Sequence, residues 1–231
     1  MTGDKKRFVT ITIDGPAGAG KSTVARRVAE KLGFEYLDTG ALYRAVTLYL
    51  LEKGISPEDS EKMKEALDDL YVRMDSGRVF VNEEEVTAKI RSVVVERSVS
   101  DYAKLPLVRE KLLKIQEMEA EKNDIVADGR DMGTTVFPRA SLKIYLVATP
   151  TARALRRWKD LTGAGVEITV EEVKEQVRKR DTLDTNREQS PLRVPSDAKI
   201  IDTSEMEIAE VVAKIMEIAE KIRRQEGENS Q

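Results

Sequence analysis

Residues 15–22 read Gly-Pro-Ala-Gly-Ala-Gly-Lys-Ser, with glycines, lysine and hydroxyl at the spacing G-x-x-x-x-G-K-S. That spacing suits polyphosphate binding. Backbone N–H groups of a glycine loop and the positive end of a following helix point at one volume, so phosphate oxygens bind there without dedicated recognition side chains. Lys21 adds a charge for the β- and γ-phosphates, and Ser22 offers a hydroxyl to Mg2+. At average residue frequencies a chain of this length matches the pattern by chance about 1% of the time. The bland alternative is a glycine turn between a strand and a helix. The flanks fit the phosphate reading: Phe8-Val9-Thr10-Ile11-Thr12-Ile13 alternates as a strand, and Thr23 to Leu32 is rich in helix formers. Gly15, Pro16, Ala17, Gly18, Ala19, Gly20, Lys21, Ser22 and Thr23 are therefore the candidate contacts to nucleotide phosphates.

Two further segments carry charge at the ends of short apolar runs. Asp38-Thr39-Gly40-Ala41-Leu42-Tyr43-Arg44 follows Phe34 to Leu37, and Arg44 is either a helix surface residue or an arm into a crevice. Asp128-Gly129-Arg130-Asp131 follows Ile125 to Ala127 and presents a fork donor and a carboxylate from one tight turn. Further on, Pro150 opens a helix with Arg153, Arg156 and Arg157 at i, i+3, i+4, followed by the turn Leu161-Thr162-Gly163-Ala164-Gly165. Thr169 and Glu172 form a capping box for the next helix. Helix, glycine turn and helix make a plausible hinged lid, placed at residues 151–168, whose arginines reach a transferring phosphoryl group. That second helix is expected to end near Arg180. Arg180, Asp184 and Arg187 share a face if it persists, as a surface ion-pair row or as part of a site.

These segments need a scaffold. Leu142 to Val147 and Lys199 to Ile201 complete a set of short strands separated by helices such as Pro106 to Glu121 and Glu207 to Arg223. Alternation of this kind predicts an α/β fold, a mostly parallel sheet covered on both sides, with ligands beyond the carboxyl ends of the strands. Asp14-Gly15, Asp38-Thr39-Gly40 and Asp128 to Asp131 are expected to meet there. Between residues 54 and 97 the pattern changes to a short amphipathic helix (Met63, Ala66, Leu67, Leu70) and an antiparallel hairpin built from 71–74 and 78–81. This insertion is either decoration or a substrate-covering subdomain. Residues 227–231 form a polar tail expected to be disordered.

The chain has 231 residues, a formal net charge of −3 with both signs interspersed, no cysteine and no histidine. It is expected to form one domain bearing that insertion. Missing cysteine and histidine exclude disulfides, thiol nucleophiles, Ser-His catalysis and histidine-ligated zinc, leaving carboxylates, Lys, Arg, backbone dipoles and a hard cation. Neither a nucleic-acid surface nor a membrane span is indicated, Met1 to Arg7 is polar and charged, and a monomeric cytoplasmic protein is expected.

Taken together, the residues resemble the bacterial type of cytidylate kinase over nearly the whole chain. The matching segments are Ile13-Asp14 through Ser22, Leu37 to Arg44, Ala127 to Thr134 (Ala-Asp-Gly-Arg-Asp-Met-Gly-Thr), and Arg180-Asp181 through Asn186-Arg187. The resemblance implies a P-loop kinase core with a central parallel sheet, an inserted nucleoside monophosphate-binding subdomain carrying a small antiparallel sheet, and a helical arginine lid. It implies transfer of the γ-phosphoryl of ATP, with Mg2+, to CMP or dCMP in pyrimidine metabolism. It assigns Arg44 and Arg130 to the acceptor phosphate and Ser100, Arg109 and Asp131 to cytosine. Arg180, Asp184 and Arg187 fall to sugar and phosphates, and Thr39 and Tyr43 join the acceptor contacts. Lys21, Arg130, Arg153 and Arg157 become the catalytic cations. Leu183, where a charged residue is often found, and Trp158 depart from the family pattern.

Such parts suffice for the chemistry. Phosphoryl transfer needs positioning and charge stabilisation more than a base, and an acceptor phosphate with a second pKa of about 6 brings its own nucleophile. Three rivals stand beside this reading: a P-loop kinase for another acceptor, a nucleotide switch or motor that hydrolyses its nucleotide, and a nucleotide binder without turnover. The chain has no Asn-Lys-x-Asp guanine signature and no basic stripe, which weigh against the second.

Overall fold

The computed structural model describes residues 8–75, 77–163 and 165–228, side chains of 223–228 excepted. The charged start Met1 to Arg7, the turn residues Ser76 and Ala164, and residues 229–231 of the expected tail lie outside the described residues. The chain divides into two compact units, one of residues 1–36 with 123–231 and one of residues 37–122.

The first unit is built on parallel strands. β1 (Thr10–Asp14) pairs with β6 (Ile125–Gly129) on one side and β7 (Leu142–Val147) on the other, and β8 (Lys199–Asp202) pairs with β7. With β2 (Glu35–Asp38), the strand at which the division falls, the sheet order is β2-β6-β1-β7-β8. The register matches Asp14 with Gly129 and Tyr145, so the end of β1 lies level with the end of β6. Strands buried on both faces need continuous apolar runs, and Ile11, Ile13, Val126, Ile144 and Leu146 supply them. Helix α1 (Lys21–Leu32) covers them with Val24, Ala25 and Val28, and α8 (Ile208–Glu228) adds Val211, Val212 and Ile215. The helix α8 thus runs into the stretch read as a tail.

After β7, α6 (Pro150–Gly163) and α7 (Val170–Thr185) pack together through Ala154, Val173 and Val177, with Trp158, Leu161 and Ile168 against them. The capping box forms as expected: Thr169 Oγ1 accepts from Glu172 N and the Glu172 carboxylate accepts from Thr169 N. That start is firm, but the helix does not end near Arg180. It continues to Thr185, because Thr182 and Asp184 extend an already hydrogen-bonded helix in which adding a residue costs little.

The second unit holds α2 (Thr39–Glu52), α3 (Ser60–Asp68), α4 (Val93–Ala103), α5 (Pro106–Ala120) and a small antiparallel sheet. Strands β3 (Val72–Asp75) and β4 (Arg78–Val81) form the expected hairpin, and a two-residue β5 (Glu84–Glu85) adds a third strand. The carboxylate of Asp38 caps α2 by accepting from Ala41 N at 2.9 Å, and Pro106 occupies the first turn of α5, where a missing N–H costs nothing. The buried face of α5 is Val108, Arg109, Leu112 and Gln116, with Ile115 only half-buried.

Candidate active site

Residues 15–20 run from the end of β1 into α1, which begins at Lys21, so the loop lies at a helix N-terminus as its spacing requires. Gly18 has φ +74°, and a Cβ there would stand 2.7 Å from the Arg153 carbonyl oxygen. Only glycine allows both the left-handed backbone and that approach. Lys21 is buried and donates to Pro16 O at 2.9 Å, curling back over its own loop. Burial, and then the nearby charge of Arg130, push the Lys21 ammonium down to about 7.

Ser22 is exposed, yet its hydroxyl donates to Asp128 Oδ2 at 2.9 Å, and Tyr36 OH donates to Asp128 Oδ1 at 2.8 Å. Asp128, at the end of β6, stands in a segment expected at the crevice, but its sequence context gives it no role of its own. The available signal was an acid closing an apolar strand, where a carboxylate is costly unless it is bonded. A serine hydroxyl and a carboxylate side by side are hard oxygen donors of the kind Mg2+ takes in nucleotide sites.

Beyond Asp128 the chain turns. Arg130 Nε donates to Asp184 Oδ2 at 2.7 Å, and Arg187 Nη2 donates to Asp184 Oδ1 at 3.0 Å. Asp184 therefore holds two arginines from segments 54 and 3 residues away. Its burial pushes its pKa up, but Arg130, Arg187 and Arg180 outweigh this and hold its carboxyl below the usual range. Arg130 is half-buried, and Asp184 keeps its charge in place against the loss of water. Arg180 and Asp184 lie on α7, and Arg187 lies just past its C-cap, Asn186. Asp131 is buried and opens a short π-helical turn, Met132–Val136.

The arginines of α6 diverge despite their helical spacing. Arg153 is buried; its Nη1 donates to Ala17 O of the loop at 3.1 Å and to Asp181 Oδ2 at 2.6 Å, and its Nε donates to Ala148 O at 3.1 Å. Arg156 bonds Thr203, and Arg157 is half-buried.

The remaining candidates belong to the second unit. Arg44 Nη2 donates to Glu96 Oε2 at 2.7 Å, and the Arg109 guanidinium stands 5.7 Å from the centroid of the Tyr43 ring and donates to Ala103 O at 3.4 Å. Thr39 is buried at the start of α2, and Ser100 is half-buried on α4. A surface cavity of about 770 Å3, lined by residues including Leu51, Ile55, Glu58, Asp101, Tyr102 and Lys104, contains none of the candidate residues. Among the described residues, no cluster of three acids stands ready to hold a metal, and no helix is long and apolar enough to cross a membrane.

A parallel sheet ordered β2-β6-β1-β7-β8, a glycine loop from its central strand into α1, and arginines gathered by acids beside that loop define a P-loop kinase. A solved structure of an uncharacterized protein from Eubacterium ventriosum shares the fold, with a TM-score of 0.50 at 13% identity over 91% of this chain and 97% of that one. The family model described as cytidylate kinase matches residues 11–221. The cytidylate kinase of Carboxydothermus hydrogenoformans is 49% identical over 90% of this chain and 96% of its own length. That of Caldanaerobacter subterraneus subsp. tengcongensis is 46% identical over 92% and 95%. The chain belongs to the cytidylate kinase family.

Proposed function

We propose that this protein transfers the γ-phosphoryl group of Mg-ATP to CMP or dCMP, giving ADP with CDP or dCDP, as a monomeric cytoplasmic enzyme of pyrimidine nucleotide metabolism. The observation that carries this reading is the buried lysine of the glycine loop, whose ammonium is weakened by burial and by the nearby charge of Arg130, an arrangement suited to a polyanion. Family membership supplies the acceptor.

In this reading Gly15 to Thr23 cradle the triphosphate and Ser22 holds Mg2+, with Asp128 orienting the Ser22 hydroxyl. Magnesium supplies Lewis-acid neutralisation of the phosphate oxygens when bound. Arg44 and Arg130 take the acceptor phosphate. Arg180, Asp184 and Arg187 take its sugar and phosphate, and Thr39 and Tyr43 are further acceptor contacts. The acceptor dianion attacks the γ-phosphorus, the bond to the β-phosphate oxygen breaks, and Lys21, Arg130 and Arg157 stabilise the charge that spreads over the transferring group. Arg153 serves the same step from the lid, residues 151–168, and must exchange its bonds to Ala17 O and Asp181 to do so. Residues 54–97 form the monophosphate-binding subdomain. Asp131 and Arg109, with Ser100, read cytosine: a carboxylate accepts from the 4-amino group and a donor meets N3 and O2, and uracil inverts the first two of these three groups.

The test is incubation with Mg-ATP and, separately, CMP, dCMP, UMP, AMP or no acceptor, following ADP and the diphosphate product. Turnover concentrated on CMP and dCMP is expected. Equal ADP release without acceptor overturns the reading in favour of a hydrolytic switch, and preference for AMP or UMP overturns the acceptor.

A further inference from the structure

We infer that Asp14, the residue immediately before the glycine loop, is a positioning residue for the acceptor: its carboxylate sets the turn that carries Arg130 and Asp131. The inference rests on the reading of Asp131 as a cytosine contact.

Asp14 ends β1 with only 1% of its surface exposed. Its Oδ1 accepts from Met132 N at 2.9 Å and its Oδ2 accepts from Gly133 N at 2.8 Å, so both oxygens are spent on consecutive amides 118 and 119 residues away. Those amides open the π-helical turn, where N–H groups lack partners within the helix. The Asp131 carbonyl on the preceding peptide accepts from Thr135 N at 2.8 Å and Val136 N at 3.2 Å. The peptide that follows Asp131 is thereby held at its N–H by one strand and at its C=O by its own turn. Two bonds from one rigid carboxylate fix direction as well as distance, and π turns of this kind recur where a side chain must be aimed.

Packing confirms how closely the turn is held to β1. A Cβ on Gly133 would stand 3.0 Å from Thr12 Oγ1, 3.0 Å from Pro195 and 3.2 Å from Lys143, so a larger residue there would have to push these side chains back by a few tenths of an ångström. Burial pushes Asp14 up to about 6, against the two amide bonds, with Asp131 raising it further and Lys21 lowering it; Tyr145 also faces it. The fold thus keeps an ionised carboxylate buried at neutral pH, and the two amides it grips are those that aim Asp131.

The experiment is a double-mutant cycle on acceptor choice. Asp14→Asn presents an N–H where one amide already donates, while the shape is kept. The wild type, Asp14→Asn, Asp131→Ala and the double variant are compared for the ratio of kcat/KM on CMP to that on UMP, with the KM for ATP measured alongside. Asp14→Asn is expected to lower the ratio by about tenfold, to raise the KM for CMP, and to leave the KM for ATP within about twofold. In the Asp131→Ala background it should change the ratio no further, because its effect passes through Asp131. If Asp131→Ala narrows the ratio but Asp14→Asn spares it, or lowers it equally in both backgrounds, the role of Asp14 is overturned while the reading of Asp131 stands. An unchanged ratio in Asp131→Ala overturns both. Should Asp14→Asn fail to fold, Asp14→Ser, whose hydroxyl accepts one of the two amides, is measured in the same cycle against the same outcomes.

Discussion

The cations of the two units are held in different ways. In the first unit, Lys21 and Arg153 are buried, Lys21 donating to Pro16 O of its own loop and Arg153 to Asp181 and Ala17 O, while Arg130, its side chain 18% exposed, is held by Asp184 from 54 residues away. In the second unit, Arg44 has a side chain 21% exposed and one ion-pair partner, Glu96, itself 29% exposed. A charge already held in the site, such as Lys21 or Arg130, has its field in place before the reaction, whereas Arg153 must first exchange its bonds. A half-exposed pair exchanges its partner for a phosphate cheaply, which suits capture and release. In the proposed reaction we read the first set as serving the chemistry and the second as serving acceptor capture.

The sharpest test of the first half is removal of its cations. Lys21→Ala or Arg130→Ala is expected to lower kcat/KM by about a thousandfold or more, with the circular dichroism spectrum intact. For Lys21 the stability change has a definite sign. Its folded pKa, about 7, lies below the unfolded value, 10.5, so the folded protein binds fewer protons between those limits. The group therefore costs stability as pH falls from 10.5 toward 7 and costs it in full below 7; the Tm of Lys21→Ala at pH 7 should hold or rise. A fallen Tm breaks the argument.

The same displaced lysine predicts a pH effect on the donor. Polyphosphate raises the Lys21 pKa, so ATP binding at pH 8 takes up a proton. ATP affinity then falls by up to about tenfold per unit as pH rises above 7, until the pKa of the complex is passed. Calorimetry in buffers of differing ionisation enthalpy measures the proton count, which should vanish in Lys21→Arg.

Smaller effects are expected in the second unit. Arg44→Ala should raise the KM for CMP by about tenfold and change kcat little, since it removes capture rather than fixed field. Glu96→Gln should shift stability by no more than about 1 kcal/mol and leave the KM for CMP equal or lower. If Arg44→Ala lowered kcat as far as Lys21→Ala does, the division of labour would be lost.

Much of this was legible in the chain, and the exceptions share a cause. Residues 15–22 are contiguous and every part of the loop needs its own residue type, so strand, loop and helix follow from one short reading. The parallel strands, the hairpin and the capping box at Thr169 came likewise from local pattern. Asp128 and Asp14 were quoted within motifs, yet their roles depend on partners 106 and 118 residues distant, Ser22 and Met132, which no local period reveals. Arg153 and Arg156 find different partners for the complementary reason. Helical spacing fixes where the side chains leave the backbone, whereas long guanidinium arms end where acceptors stand, here Asp181 and Thr203. The end of α7 was misplaced because no glycine or proline marks it.

The single tryptophan gives the molecule a built-in optical reporter. Trp158 is the only tryptophan of the chain, and it lies in the seam between α6 and α7 with Nε1 donating to Ile168 O at 2.9 Å. Indole emission from this protein therefore has a single origin, free of overlapping fluorophores of its kind. A change in its wavelength or quenching on mixing with nucleotide reports hydration at that seam, in real time and without a label.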